Sequence, residues 1–291
     1  MPRGYNQLDS AFLGNRLWLP NVLRPALWLD ASDISTITIA TGVSEWRDKS
    51  GNQRNVTQAT GGTQPTYTLD ALNGKSVLSF NGSQYLTSPS AVSTWNFLHN
   101  TNGSSVIAVW KAGNISNPNV LYSLMGTSAI LTANHGYALV FDDRASVPRN
   151  ERVVGLVSRG VSGVPAVANV SSDLAHPTNV TTILSHICDP NNATASNRSF
   201  IRVNRGNVIQ NNIDTASPSA SNSSFALQIG AGGNNASPLV GYIAEIIVLS
   251  SIASNSTRQI LEGYLAWKWG LQDNLSQDHP YLNHPPFIGD N

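Results

Sequence analysis

Charged residues are scarce in this 291-residue sequence, and their signs balance. Only 12% of the residues are Asp, Glu, Lys or Arg, whereas about 25% is usual in soluble domains. The 17 basic and 17 acidic residues cancel, so no net field draws the chain to nucleic acid or to an anionic membrane. We therefore expect neither nucleic acid nor a membrane among its partners.

Cysteine and long apolar runs are also nearly absent. Cys188 is the only cysteine, which excludes an intrachain disulfide, a cysteine-based zinc site and a C-x-x-C redox motif. A lone cysteine is more often an inert buried side chain than a reactive one. No run of about 18 apolar residues occurs, the length that a membrane-spanning helix needs.

Carboxylates are too scattered to indicate a hydrolase. A retaining glycosidase needs two carboxyl groups about 5 Å apart, and an inverting one needs them further apart. No predicted strand carries an acid-x-acid pattern, and no Gly-x-Ser-x-Gly elbow is present. The sequence therefore predicts no enzymatic activity. Its glutamates are only Glu45, Glu151, Glu245 and Glu262.

Short apolar runs separated by turn residues fill most of the chain. Many such strands with turn signals between them are typical of a β-sandwich or barrel. The longest candidate is Val240–Leu249, which is apolar on both of its alternating faces and should be covered on both sides. Glu245 inside it then needs a partner, and we favour a place at a rim or a pairing with arginine over a catalytic role.

One amphipathic helix is predicted, over about residues 257–269. Ser256-x-x-Gln259 has the form of a capping box, and Gly270 supplies a stop. Between them apolar residues recur at three- and four-residue spacing, which gives the helix one apolar face. We expect it to lie on the sandwich or across one of its ends.

Sequence motifs near the two ends of the chain are similar to those of a known family. The N-terminal motifs are Ala26–Asp33, Val43–Asn52, Gln64–Tyr67, Asn73-Gly74 and Val77–Leu86; the C-terminal motifs are Gly241–Glu245, Leu261–Leu271 and His279–Tyr281. Together they resemble the concanavalin A-like, laminin-G-like jelly-roll domains found in bacteriophage structural proteins and some bacterial surface proteins. The matching motifs bound a region from residue 25 to residue 286. The chain departs from the family at Asn81, where an acidic residue is usual.

The resemblance implies an all-β fold, a two-sheet antiparallel jelly-roll sandwich with one C-terminal amphipathic helix. It implies that Trp28, Trp46 and the strand around Phe80 pack inside the sandwich and that the helix closes one end. We expect the structural core to include Trp28, Trp46, Phe80, Tyr264 and Trp269.

Residues 1–24 are predicted to form an N-terminal arm, and residues 25–291 to form the sandwich, its helix and an extended C-terminal tail. Pro20 and Pro25 interrupt regular structure in and after the arm. The arm either folds back on its own domain or docks on a partner. The residues that would dock are Leu17, Trp18, Leu19, Val22 and Leu23.

Asp142 and Asp143, directly after a strand, are the best candidates for a calcium site, because hard cations need clustered oxygen ligands. The alternative is a solvated turn. No other cofactor is expected.

Two functions remain open. The first is a non-enzymatic structural protein of a bacteriophage virion, a capsid decoration or a fibre or tail component on the particle surface. It would be a homo-oligomer, with a trimer as one candidate, and would contact virion proteins such as the major capsid protein. The alternative is a lectin-like carbohydrate-binding module for host-surface or environmental glycans.

Overall fold

The computed structural model describes residues 16–100, 103–113, 120–129, 133–144, 150–162, 165–171, 174–210 and 217–290. Its strands are β1 Leu27–Asp30, β2 Ile37–Ile39, β3 Val43–Trp46, β4 Val56–Thr57, β5 Thr66–Leu72, β6 Lys75–Asn81, β7 Leu86–Thr87, β8 Ser104–Ala112, β9 Val120–Gly126, β10 His135–Asp143, β11 Arg152–Arg159, β12 Pro165–Val170, β13 Thr182–Cys188, β14 Ser199–Val203, β15 Ile209–Gln210, β16 Gln228–Ile229 and β17 Val240–Leu249.

A single α-helix, α1, spans Asn255–Trp269 within the described part of the chain. Short 3₁₀ turns lie at Pro20–Leu23, Ile34–Thr36, Gly61–Thr63, Val92–Leu98, Ala195–Asn197, Gly233–Asn235 and Gln272–Asn274. No helix in the ranges given above has both the length and the apolar character needed to cross a membrane.

The strands form two antiparallel sheets, which confirms the predicted sandwich. The first has the order β15-β14-β13-β8-β17-β6-β5, with β1 also paired to β17. The second has the order β12-β11-β10-β9-β16-β7-β4-β3-β2. The main apolar core lies between the sheets, and Trp46, Trp110 and Phe141 are among its buried members.

The first sheet also buries apolar residues on its outer face. Strand β8 shows the alternation: Val106, Ala108 and Trp110 belong to the core between the sheets. Ile107 and Val109 belong to a second core on the opposite face. Helix α1 covers this second core, so the helix lies on a sheet face and does not close one end of the sandwich.

Strand β17 occupies the predicted range and is covered on both faces, as its apolar pattern indicated. Its pairing with β8 shifts register between Ile243 and Glu245, which is a β-bulge. Because of this extra residue, both Ala244 and Glu245 lie on the helix side of the sheet. The bulge thus turns a carboxylate toward α1.

The ends of α1 are capped by neighbouring residues. The helix starts two residues before the predicted start because Ser254, not Ser256, is the N-cap and accepts a hydrogen bond from the Thr257 amide. At the other end, Gly270 takes a left-handed conformation with φ of 67°. Asn73, in the turn between β5 and β6, donates to the carbonyl of Trp269 at 2.6 Å.

A buried ion cluster around Glu262 holds one side of α1 against the first sheet. Arg258 donates to both Glu262 oxygens at 2.7 and 2.6 Å. Ser185 of β13 donates to the same carboxylate at 2.7 Å, and the guanidinium of Arg202 in β14 lies 3.7 Å from Glu262 Oε2. The carboxylate therefore joins the helix to two strands.

The segment that includes Trp18 packs on its own chain together with the C-terminal tail. Trp18 has no exposed surface and meets Tyr264 edge-on, with ring centroids 6.1 Å apart. Its amide donates to the carbonyl of Pro286, and Leu17 forms a bridge with Phe287. The segments around Trp18 and Tyr281 thus complete the second core.

Two histidines are completely buried in the sandwich core. The Nδ1 of His186 lies 2.6 Å from the Tyr137 hydroxyl, and its Nε2 lies 2.8 Å from Ser199 Oγ. His176 stacks on Trp110 with centroids 4.6 Å apart. Burial lowers the pKa of both His176 and His186 from 6.5 to about 3.

These histidines predict a loss of stability in mild acid. In the unfolded chain they bind protons with an ordinary pKa of 6.5, but in the fold they remain neutral down to about pH 3. The free energy of unfolding should be highest above pH 6.5 and fall between pH 6.5 and 5, by up to about 1.4 kcal/mol per pH unit for each histidine. Urea unfolding across this range tests this. His186→Gln should reduce the slope of the free energy of unfolding against pH, and His284→Gln should not. A wild-type free energy of unfolding that does not change with pH would refute the assignment.

Gly155 in β11 makes room for the His186 ring. A Cβ at this position would lie 2.3 Å from His186 Nε2. Gly155→Ala should therefore lower the free energy of unfolding by about 1–3 kcal/mol through overpacking. The control is Gly62→Ala, where a Cβ meets nothing within 4 Å. Equal midpoints of urea unfolding for the two variants would contradict the packing described.

Candidate functional site at the helix–sheet junction

A pocket of about 420 Å³ opens where β1 meets α1, and we call it the junction pocket. Its walls combine apolar, aromatic and charged side chains. The volume lies within the usual range for small-ligand sites, about 300–1,000 Å³. Its lining residues are Leu19, Trp28, Asp30, Ser32, Asp33, Lys49, Lys75, Tyr264 and Lys268.

Glu245 lies behind the floor of the junction pocket and has no exposed surface. Its Oε1 accepts hydrogen bonds from Trp28 Nε1 at 2.7 Å and from the Tyr264 hydroxyl at 3.0 Å. Its Oε2 accepts from Lys268 Nζ and Trp269 Nε1, both at 2.7 Å. Four donors therefore satisfy the carboxylate, and three of them are aromatic side chains.

Lys268 connects Glu245 to a second buried carboxylate, Asp30. The two acids are directly opposite each other on β17 and β1, so their side chains share one face of the sheet. Lys268 Nζ lies 2.7 Å from Asp30 Oδ2 as well as 2.7 Å from Glu245 Oε2. Lys49 continues the chain of charges, at 2.8 Å from both Asp30 and Asp33.

Burial and neighbouring charges separate the pKa values of the two acids. Burial raises the pKa of Glu245; the attraction of Lys268 opposes this shift, and the charge of Asp30 adds to it. Burial also acts to raise the pKa of Asp30, but Lys268 and Lys49 together outweigh it and lower that pKa well below its ordinary value. Asp30 is thus the more acidic partner.

Several polar groups at the mouth of the pocket face solvent. The side chains of Asp33 and Lys49 are 32% and 24% exposed. Ser32 and Lys75 are half-buried. Unlike the side chains of the other two lysines of the pocket, the side chain of Lys75 makes no hydrogen bond or ion pair with the residues that the structure describes. The mouth therefore offers both donors and acceptors to a ligand.

Two acids do converge here, but their arrangement differs from that of a glycosidase pair. A glycosidase places the scissile bond and its attacking water between two accessible carboxyl groups. At the junction pocket an ammonium group occupies the space between Asp30 and Glu245, and Glu245 is closed to solvent. The absence of enzymatic activity remains a prediction.

The candidate calcium residues Asp142 and Asp143 are buried at the end of β10. Arg144 donates to Asp142 Oδ1 at 2.8 Å, and Asp143 Oδ1 receives the Glu151 amide at 3.4 Å. Consecutive strand residues point to opposite faces, so the two carboxylates do not share one site. Among the described residues, no three His, Cys, Asp or Glu side chains are grouped to hold a metal. Calcium binding itself remains a prediction.

The predicted docking residues divide into buried and exposed members. Trp18 is fully buried in its own chain, which removes it from any docking surface in this fold. Leu17 and Leu23 pack against the second core. Leu19 and Val22 are 42% and 45% exposed, and docking through these two remains a prediction.

The aromatic residues are placed mainly in the two cores. Trp46 and Phe80 lie between the sheets. Trp28, Tyr264 and Trp269 lie between the first sheet and α1, so Trp28 is not inside the sandwich as expected. Every Trp, Tyr and Phe within the described ranges is buried or half-buried.

Sequence reasoning did not identify the junction pocket. It noted Glu245 and the need for a partner, but the partner is Lys268 and not an arginine. The available signals were the polar segment that starts at the last residue of β1, which includes Asp30 and Asp33, and a lysine between two tryptophans in α1. The pairing register of β1 and β17, which brings Asp30 beside Glu245, was not predictable from these signals.

No family model matches the chain, and no curated protein matches it. Among solved structures, the NanB sialidase of Streptococcus pneumoniae aligns with a TM-score of 0.43 and 16% identity, over 62% of this chain and 26% of that one. The CBM40 of the Ruminococcus gnavus IT-sialidase, bound to α2,3 sialyllactose, gives a TM-score of 0.39 and 13% identity over 54% and 80%.

A GH54 α-L-arabinofuranosidase aligns with a TM-score of 0.47 and 13% identity, over 80% of this chain and 50% of that one. These TM-scores and identities are too low to carry an argument about function. None of the three proteins is described as a bacteriophage protein. The virion location and virion partners therefore remain predictions.

Glu245→Gln should destabilise the protein strongly. The amide has one acceptor oxygen in place of two, so its NH₂ group would face Lys268 and the Trp269 indole, which are donors themselves. We expect the free energy of unfolding to fall by about 3–5 kcal/mol, as for a broken buried ion pair. The control is Glu45→Gln, at a partly exposed ion pair with Arg47, for which about 0–1 kcal/mol is expected. Equal urea midpoints would contradict the central role of Glu245.

Proposed function

We propose that this chain is a non-enzymatic glycan-binding module of the β-sandwich type, and that the junction pocket is its sugar site. The observation that carries the proposal is the combination of open polar groups with an aromatic and aliphatic wall in one concave site. A sugar ring presents hydroxyl groups at its edge and C–H groups on its faces. The pocket offers partners to both kinds of surface.

The polar partners lie along one side of the pocket. The Asp33 carboxylate accepts hydrogen bonds, Lys49 and Lys75 donate them, and the Ser32 hydroxyl does either. The Lys49–Asp33 ion pair, at 2.8 Å, holds two of these groups in place before a ligand arrives. Such preorganisation lowers the entropic cost of binding.

The apolar wall of the pocket is formed by Leu19 and Trp28, of which Leu19 is the more exposed. Lys49 Nζ lies 4.7 Å from the centroid of the Trp28 ring. The Trp28 ring therefore contacts the Lys49 ammonium as well as lining the pocket. Leu19 is the exposed apolar residue at the mouth. A ligand that packs on Leu19 would reach Asp33 and Lys75 with its hydroxyl groups.

A glycan array followed by NMR titration of the best ligand tests the proposal. Lys75→Ala should weaken binding about tenfold or more, equivalent to about 1.4 kcal/mol, because an unpaired donor at the pocket is lost. Lys111→Ala is the matched control, since Lys111 lies outside the pocket on β8 and contacts Tyr242. Absence of binding to any glycan, or equal affinity of both variants and the wild type, would refute the site.

The same glycans should be recovered unchanged after incubation with the protein. We expect no release of sugar at any pH, because the Glu245 carboxylate is enclosed by its four donors. Chromatography of the incubated glycans measures this. Release of any sugar by the wild-type protein would identify a hydrolase and end the non-enzymatic proposal.

A second candidate function is a structural role on a bacteriophage particle. It is favoured by the exposed apolar residues Leu19 and Val22, which would be buried by a neighbouring protein. Under this proposal the chain forms homo-oligomers and co-purifies with virions. Quantitative mass spectrometry of purified particles would detect it in many copies as a decoration protein, in few copies as a fibre or tail component, and in none if this candidate is wrong.

A further inference from the structure

We propose that Lys268 and Asp30 are joined by an intramolecular isopeptide bond, which the folded protein forms itself with Glu245 as the proton carrier. Lys268 Nζ lies 2.7 Å from Asp30 Oδ2 and 2.7 Å from Glu245 Oε2. The nucleophile, the acyl group and a proton carrier are therefore already in contact. Proximity of this kind replaces a bimolecular encounter and removes much of its entropic barrier.

The surroundings favour the neutral product over the ions. The side chains of Lys268, Asp30 and Glu245 are only 10%, 3% and 0% exposed. Charges are costly in such a site, and an amide between Lys268 and Asp30 removes one charge of each sign. In water the same two groups would remain ionised, because both ions would be well solvated.

The two carboxyl groups are suited to different roles. Burial raises the pKa of Glu245, against the attraction of Lys268, which makes its carboxylate a better proton acceptor. Asp30 Oδ1 receives the Ser32 amide at 3.1 Å and the Ser32 hydroxyl at 2.6 Å. These donors can stabilise the oxyanion that develops on Oδ1 in the tetrahedral intermediate.

The chemistry requires no other reactant. Glu245 takes one proton from the Lys268 ammonium and passes it to Asp30 Oδ2, so that a neutral amine attacks the Cγ of a neutral carboxyl group. The second proton then leaves the nitrogen for the same oxygen as the C–O bond breaks. The products are one amide and one water molecule, so atoms and charge balance and nothing is oxidised or reduced.

The position of Asp30 makes it the acyl partner in place of Glu245. Asp30 lines the junction pocket, which gives the released water a path to solvent. Glu245 is enclosed, and its Oε1 is held by Trp28 and Tyr264. The bond would link β1 covalently to α1, across nearly the whole length of the chain.

Peptide mapping of the purified full chain by tandem mass spectrometry tests the proposal. We expect one peptide that joins the segment containing Asp30 to the segment containing Lys268, with the loss of one water molecule. Only the separate, unmodified peptides, or a link from Lys268 to Glu245, would overturn the assignment. This readout needs the wild-type protein alone and does not depend on glycan binding.

Two variants test the mechanism. Lys268→Arg keeps the positive charge but lacks the amine, so the amide cannot form. The intact mass of this variant should equal the mass calculated from its sequence, with no loss of water. A loss of water that persists in Lys268→Arg would come from another site, such as a succinimide, and would count against the proposal. In Glu245→Gln the linked peptide should be absent or greatly reduced; undiminished linkage would exclude Glu245 as the proton carrier.

Discussion

The structure depends on a carboxylate that is removed from water and placed between a sheet and a helix. Glu245 has no exposed surface, and its burial is tolerable only because three aromatic side chains and Lys268 donate to it. Two of these aromatic donors and the lysine come from α1, and Trp28 comes from β1. The carboxylate thereby specifies which face of the helix meets the sheet and at what register.

The junction pocket follows from the same interaction. Lys268 reaches from Glu245 to Asp30, and Lys49 extends the chain of charges from Asp30 to Asp33 at the surface. Buried ions thus position the polar groups that face solvent. The site therefore has a buried, ion-paired floor and a mouth that is open to solvent.

Much of the fold was predictable because it depends on local patterns. The apolar run of β17 predicted both its bounds and its burial on two faces, and Gly270 predicted the end of α1. The N-cap was misplaced by two residues because Ser254 and Ser256 are chemically equivalent candidates and only the path of the preceding chain distinguishes them. The sequence predicted that Trp28 is buried, but it did not predict that Trp28 lies on the face of the first sheet that α1 covers.

The candidate site was less predictable because it combines distant segments. A β-bulge at Ala244–Glu245 turns the carboxylate toward the helix, and strand alternation alone does not reveal such a bulge. The adjacent acids Asp142 and Asp143 could be chosen as a calcium candidate from the sequence alone, because they are neighbours along the chain. Asp30 and Glu245 lie far apart in sequence, and only the strand register brings them together.

Hydrogen exchange in the Glu245→Gln variant tests most directly whether this carboxylate holds the helix on the sheet. Relative to the wild type, amide protection should fall in α1 and β1, while β10 and β11 in the other sheet keep theirs, because local opening is governed by local contacts. Unchanged protection in α1, or an equal loss in all four elements, would contradict the account.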